Sequence, residues 1–217
     1  MNVLFLVDLH WRGAPDSLSL PELDDYDLVL LGGDISHFGG PVQVAKVVEA
    51  IRQRGPEVLA VAGNCDAPEV DGFLAELKIG LDRSRVEING VCFSGLSAGL
   101  PFGGCPHERT EVEFEKACEQ LPKESSVPHI LVSHQPPFNT ACDKTGGRHV
   151  GSRAIRAYVE RARPELVLSG HIHESIGVDR IGAAVVANPG PWMAGRCLHF
   201  EIVNGVVGAP ELLHLPL

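Results

Sequence analysis

The sequence predicts an α/β protein, a four-layer α/β/β/α sandwich of two mixed sheets flanked by helices, on three observations. Residues 3–7, 28–31, 58–62, 130–132 and 166–168 are short runs of consecutive apolar residues, the pattern of parallel strands buried on both faces. Between them lie segments whose apolar positions recur at helical spacing. Shorter alternating runs around Asn-Gly turns add hairpins, which suggest a second, mixed sheet packed on the first.

Residues 41–54 read as a helix with a proline in the first turn, apolar positions at Val44, Val47, Val48 and Ile51, and a stop at Gly55-Pro56. A shorter helix over 68–77 also begins at proline. The runs 86–88 and 91–96 flank Asn89-Gly90 and read as a hairpin. Residues 111–121 are helical in pattern. Residues 152–162 form a helix with Ser152 as N-cap, Ile155, Tyr158 and Val159 facing inward, and Pro164 past the end. The tail holds strands at 181–187 and 198–203, the latter turning at Asn204-Gly205 into Val206-Val207. With no internal repeat, low-complexity tract or linker, residues 1–217 read as one domain.

Composition narrows the function. Hydrophobic residues make up 44% and charged residues 21% of the 217, values of a globular chain. A net charge of -10 with no Lys/Arg cluster argues against extended nucleic-acid binding, where phosphate neutralisation dominates affinity. No apolar run reaches the roughly 18 residues a membrane span needs, and Asp8 interrupts the first one, so neither a membrane partner nor a signal peptide is expected. Cysteines 65, 92, 105, 118, 142 and 197 are scattered without a C-x-x-C pair, which suggests reduced thiols in a cytoplasmic protein. A homo-oligomer stays open.

The ends of the five apolar runs carry the chemistry. They are followed by Asp8-Leu9-His10, Gly32-Gly33-Asp34, Gly63-Asn64, Ser133-His134 and Gly170-His171-Ile172-His173. Loops at the carboxyl ends of parallel strands converge on one rim, where ligands bind. Carboxylate, carboxamide oxygen and imidazole are the donors that hard-to-borderline divalent ions accept, so five such ends point to a polynuclear metal site. The i, i+2 spacing of Asp8 and His10 brings both to one side of an extended strand. His171 and His173 share that spacing, although a turn would splay them onto different ions. Asp34 and Asn64 each follow a glycine, which allows a tight turn beneath a metal. His37, His107, His129, His199 and His214 belong to no such group and read as structural or surface residues.

These motifs resemble the calcineurin-like metallophosphoesterase superfamily, whose pattern runs D-x-H, G-D, G-N-[HC]-[DE], a strand-end histidine and G-H-x-H. The match covers Asp8 to His173 and includes Gly63-Asn64-Cys65-Asp66, a G-N-C-D variant similar to small bacterial and archaeal phosphodiesterases. The resemblance implies that Asp8, His10, Asp34 and His173 hold one divalent ion and that Asp34, Asn64, His134 and His171 hold another, with Asp34 as the bridge. Mn²⁺ is the favoured ion, with Ni²⁺, Fe²⁺ and Zn²⁺ as alternatives. It further implies hydrolysis of a small or nucleotide-like phosphodiester by a metal-bridged hydroxide, with Cys65 and Asp66 as catalytic positions and Asn64 touching substrate.

Many members carry histidine where Cys65 stands. A thiol is a weaker proton donor than imidazolium at neutral pH, which disfavours monoesters with poor leaving groups. The arginines that mark Ser/Thr protein phosphatases are missing after Asp34 and before Gly63. The glycine-rich stretch 145–152, entering a helix, places Arg148 and His149 as candidate phosphate contacts. Asn188-Pro189-Gly190 matches a recurring late N-P-G and is expected to shape a turn near the site. The competing readings are a broad-specificity phosphomonoesterase and a metal-binding protein-interaction scaffold.

Overall fold

The computed structural model describes residues 1–14, 17–123 and 125–217. In chain order the elements are β1 (Asn2–Leu6), β2 (Leu28–Leu31), α1 (Pro41–Arg52), β3 (Glu57–Ala60), α2 (Glu69–Glu76), β4 (Arg85–Ile88), β5 (Val91–Leu96), α3 (Glu111–Cys118) and β6 (His129–Ser133). There follow β7 (Lys144–Thr145), β8 (Arg148–His149), α4 (Arg153–Ala162), β9 (Leu166–Leu168), β10 (Gly177–Ile181), β11 (Ala184–Asn188), β12 (Arg196–Val203), β13 (Val206–Val207) and β14 (Glu211–His214).

Two six-stranded mixed sheets face each other. The first has the order β13-β12-β1-β2-β3, with β14 also pairing β12; β1, β2 and β3 are parallel, and β12 is antiparallel to β1. The second has the order β10-β11-β9-β6-β5-β4, parallel across β11, β9, β6 and β5 and closed at both edges by antiparallel strands.

The five apolar runs therefore do not share one sheet. Three lie in the first and two in the second, β5 of the expected hairpin runs parallel to β6, and β12 joins the first sheet. The expected strand 181–187 is a hairpin, with Gly182 (φ 61°) in the turn between β10 and β11. Runs that are apolar on both faces lose the alternation that would have told one sheet from the other.

Alternation survives in the packing. Val3, Phe5 and Val7 point between the sheets, where they meet Phe93, Ile130, Val132, Leu168 and Phe200. Leu4 and Leu6 point the other way, toward Val44, Val47 and Ile51 of α1 and Leu74 of α2. On the far side, Leu131 and Val167 pack on Phe114 of α3 and on Ile155 and Tyr158 of α4. The result is four layers, helix–sheet–sheet–helix, with the central strands of each sheet buried on both sides.

Helix ends are fixed by their caps. Thr110 and Glu113 form a reciprocal capping box at α3. Ser152 accepts from Ile155 N at 3.2 Å at α4, which ends at Arg163 in the left-handed region (φ 51°).

Beneath the rim, His129 is buried and bonds Ser94 Oγ through Nε2 at 2.7 Å. Burial holds it neutral, with its pKa brought down to about 4. Between that value and the unfolded value near 6.5, the unfolded chain binds more protons, so stability is full above about pH 6.5 and falls toward pH 4. His129→Gln should remove this dependence, worth about 3 kcal/mol in all. Urea midpoints of both proteins should show a wild-type advantage that is larger at neutral pH than near pH 4.

Candidate metal centre

The first and second strands keep running side by side after their ladder ends. Gly32 N donates to Leu6 O at 2.8 Å, Asp8 N to Gly33 O at 3.1 Å, and His10 N to Asp34 O at 2.8 Å. This sets Asp8, His10 and Asp34 at one level above the sheet. The expected strand alternation is not how Asp8 and His10 meet. β1 stops at Leu6, and Asp8 (φ 55°), His10 (φ 48°) and Asp34 (φ 48°) are all left-handed. Such residues cost on the order of 1–3 kcal/mol each, and here the flanking backbone bonds hold them.

The second sheet supplies the remaining donors. His134, one residue beyond β6, is wholly buried, with Nδ1 2.9 Å from Gly32 O and Nε2 2.9 Å from Asn64 Oδ1. Gly33 (φ 100°) makes room for it, because a Cβ there would sit 2.5 Å from His134 Nδ1. Gly63 has a different reason from the tight turn expected. It lies outside the left-handed region, but a Cβ on it would strike the Asp34 carboxylate and backbone nitrogen. His171 is left-handed (φ 66°) and gives its N–H to Asp8 Oδ2 at 3.1 Å. That turn splays the two histidines: the His171 ring faces His134 (centroids 5.1 Å), and His173 faces His10 (5.3 Å).

Asp8, His10, Asp34, Asn64, His134, His171 and His173 thus converge. Asp34 sits at the middle, with Oδ2 3.5 Å from His10 Nε2 and Oδ1 3.5 Å from His134 Nε2. His173 Nε2 is 3.4 Å from His10 Nε2 and 3.6 Å from Asp8 Oδ1. Bonds of about 2.0–2.2 Å to a tetrahedral ion put its donors about 3.3–3.6 Å apart. Asp8 Oδ1 is buried with no hydrogen-bond partner among the described residues, a costly state that a cation relieves. Three overlapping groups, Asp8/His10/His173, Asp8/Asp34/His134 and His10/Asp34/Cys65, keep their donor atoms within 4.8 Å of one another. On spacing, chemistry and the orphaned oxygen, the residues fit divalent ions.

The electrostatics agree. Burial alone would raise Asp34, but the His134 and His10 imidazoles and the Cys65 N–H (2.7 Å) hold it well below the usual carboxylate range. Burial lowers His134 and the Asp34 charge outweighs it, so its pKa reaches about 9. Both its nitrogens face acceptors, Gly32 O and Asn64 Oδ1, so without an ion the ring keeps both protons. His171 is held down to about 4 by burial and by His134, and is a neutral imidazole at pH 7.

The other expected site residues part company. Cys65 belongs to the cluster; burial and then the Asp34 charge push its thiol far up, so it stays protonated. Asp66 does not face the site. Its buried carboxylate accepts from Ile35 N (3.2 Å), Ser36 N (2.8 Å), Ser36 Oγ (2.7 Å) and Gly63 N (2.9 Å). It ties the Asp34 turn to the Gly63 turn, which corrects the expectation of a catalytic group. The glycine-rich stretch is the β7–β8 hairpin rather than an open loop at a helix end. Arg148 is exposed on it, and His149 Nδ1 is engaged with buried Asp143 at 2.6 Å, so neither bonds to a residue of the cluster. The hairpin itself is pinned near His173, through Lys144 N to Ser175 Oγ (2.6 Å) and Thr145 to Glu174.

Sequence reasoning passed over several supporting residues. His37, expected to be structural or surface, lies edge-on to His10 at 5.5 Å. His107 N donates to Asn64 O at 3.1 Å, and Arg109, paired with Asp82 at 2.7 Å and Asp71 at 3.1 Å, anchors the loop that carries it. Asn188 Nδ2 bonds Ile172 O at 3.0 Å and so fixes the turn between His171 and His173. Asn188 carried a signal in the N-P-G; the long loop with His107 and Arg109 carried none.

Residues 1–198 match the model of the calcineurin-like phosphoesterase superfamily domain, and the chain belongs to that superfamily. It is 34% identical over 200 residues to an uncharacterised protein of Methanocaldococcus jannaschii, covering 88% of each chain. It is 26% identical over 151 residues to a probable cyclic nucleotide phosphodiesterase of Synechococcus, covering 69% of this chain and 58% of that one. Among solved structures, a Thermus thermophilus protein superposes with a TM-score of 0.70 at 18% identity and 98% coverage of both chains. A purple acid phosphatase from yellow lupin seeds superposes with a TM-score of 0.54 at 8% identity, over 99% of this chain and 53% of that one. Both structures share the fold.

Gly63→Ala tests the crowding around Asp34. The added methyl should displace that carboxylate, weaken Co²⁺ binding in calorimetry at least about tenfold, and leave the far-ultraviolet circular dichroism of the fold intact. Unchanged Co²⁺ affinity would mean that the Asp34 position tolerates the intrusion.

Proposed function

We propose that the chain is a two-metal phosphoesterase that hydrolyses a small or nucleotide-like phosphodiester. The observation that carries this reading is Asp34, a buried carboxylate whose two oxygens each face an imidazole, one from each half of the cluster. Asp8, His10, Asp34 and His173 would hold one ion, and Asp34, Asn64, His134 and His171 the other. When bound, two divalent ions, with Mn²⁺ favoured, supply positive charge for a phosphate and lower the pKa of water.

The chain's own residues set the rest. Asp34, poised to serve both halves, fixes their separation. The Gly32 carbonyl accepts from His134 Nδ1 and so directs Nε2 toward Asp34 and Asn64. Access is from the His10 and His173 side, where the His173 side chain is 41% exposed while His134 is 0% exposed. Cys65 occupies the position from which a leaving alcohol would be protonated, and its thiol, pushed up by burial and Asp34, is a poor donor. Diesters with acidic leaving alcohols suit such a site better than alkyl monoesters. The name of the Synechococcus relative agrees with a nucleotide-like diester.

A hydrolysis screen with Mn²⁺, Ni²⁺, Mg²⁺ and Zn²⁺ added separately should find bis-p-nitrophenyl phosphate cleaved well and alkyl monoesters cleaved poorly. Cys65→His should raise monoesterase relative to diesterase activity, and Cys65→Ala should stay within about tenfold of wild type on the nitrophenyl diester. A wild-type preference for alkyl monoesters, indifferent to both substitutions, would favour the phosphomonoesterase reading.

Asp34→Asn should lose both ions by elemental analysis and calorimetry. His10→Ala and His134→Ala should each cost at least about a hundredfold in turnover at saturating metal. Two ions retained tightly by Asp34→Asn would remove the proposed bridge.

A further inference from the structure

Beside His10 the surface opens into a pocket of about 260 Å³, whose lining among the described residues includes the apolar Leu9, Trp11, Leu18, Trp192, Met193 and Leu217 and the polar Arg12, Ser17 and Ser19. It shares His10 with the metal cluster as one wall. Another part of its lining is tied to the same cluster, because Trp192 N donates to Val7 O at 2.8 Å and Met193 N to Asp8 O at 3.4 Å. Trp192 Nε1 donates to Ser19 O at 2.8 Å and Trp11 Nε1 to Ala14 O at 3.1 Å, so both indole N–H groups are already satisfied and the rings serve as apolar wall. The pocket meets the cluster at His10, whose side chain is partly exposed.

We infer that this pocket receives a nucleobase of the phosphoester, an inference that rests on the phosphoesterase reading above. Apolar walls with a few polar groups among them suit a flat ring with a hydrogen-bonding edge, and the volume, just below the roughly 300 Å³ at which drug-sized ligand sites begin, is of the scale of a single ring system. The Arg12 guanidinium can stack on or bond such a ring, and the serine hydroxyls can meet its edge. A simple alkyl or sugar group would leave either the walls or the polar members unused. The pocket thus makes the chain selective for the organic part of the ester, while the metal cluster handles its phosphate.

The test exploits a feature of this chain. Its two tryptophans are Trp11 and Trp192, and both line the pocket, so tryptophan fluorescence reports its occupancy without any turnover. The purified protein, as isolated and again after chelation, is titrated with adenosine, which carries no phosphate to hydrolyse, and with ribose as the base-free control. Adenosine should change the fluorescence saturably in both states and ribose should not. Met193→Glu, at an exposed position that folding tolerates, and Leu18→Phe, which fills the pocket, should each raise the adenosine midpoint at least about tenfold.

No saturable response to adenosine, an equal response to ribose, or a midpoint unmoved by both substitutions would overturn the inference. A protein that cleaves bis-p-nitrophenyl phosphate yet ignores adenosine loses the base pocket and keeps the phosphoesterase reading. A protein that answers adenosine through Met193 and Leu18 but cleaves no ester keeps the base pocket and loses that reading.

Discussion

The His134 imidazole, carried by the second sheet, reaches into the Gly32–Gly33 turn of the first, and that contact sets how the two halves of the cluster face each other. It requires Gly33 to have no side chain, the Gly32 carbonyl to turn toward the ring, and the two sheets to be in register at this edge. The inter-sheet core of Val3, Phe5, Val7, Ile130 and Val132 provides that register, because a slip of one residue would turn every one of these side chains outward. Asp34 then receives one imidazole from each sheet. The sandwich is less a platform under the site than the means by which the site's two halves meet.

The rim is built against local stability. Asp8, His10, Asp34 and His171 hold left-handed backbone, Asp8 Oδ1 is buried without a hydrogen-bond partner among the described residues, and imidazoles crowd one another. A core-buried chain has the reserve to carry such strain, since each fully buried Leu, Val or Phe contributes roughly 1.5–3 kcal/mol. Concentrated strain and unmet charge at a strand-end rim make physical sense where ions complete the structure. The same cluster would be a liability in a protein that never bound a cation.

How much of this was legible depended on the kind of signal. The donors were legible because Asp8, His10, Asp34, Asn64, His134, His171 and His173 follow apolar runs, and a strand end projects its residues onto the rim whichever sheet it joins. The helices were legible from their apolar spacing and from end signals such as Pro41 in the first turn of α1 and Ser152 as the N-cap of α4, whereas the Thr110–Glu113 capping box emerged only in the structure. Sheet membership was not, because residues such as Leu28 to Leu31 are buried on both faces and give no alternation to read. Asp66 misled for a related reason: a carboxylate close behind a ligand looks catalytic in sequence, and only the four donors pointing at it reveal a clamp. His107 and Arg109 were invisible, since their role is a backbone bond to Asn64 and ion pairs to Asp71 and Asp82 from distant segments.

Cys65 and Asp66 show how two adjacent residues divide the work. Cys65 N binds Asp34 Oδ1, and its thiol stays neutral against the same carboxylate. Asp66, pushed up to about 6 by burial and the Asp34 charge, is still ionised at pH 7 and draws Ser36 and Gly63 together. The two thus grip Asp34 from both sides, one through a backbone N–H and the other through the turns that flank it. On the proposed phosphoesterase reading, a histidine at 65 would keep the N–H and add a proton donor beside the substrate, whereas cysteine keeps the grip without the donor. On that reading, the geometry of the cluster and the choice of leaving group are separable at this position. Selection for a substrate whose alcohol needs no proton would leave the first intact while relaxing the second.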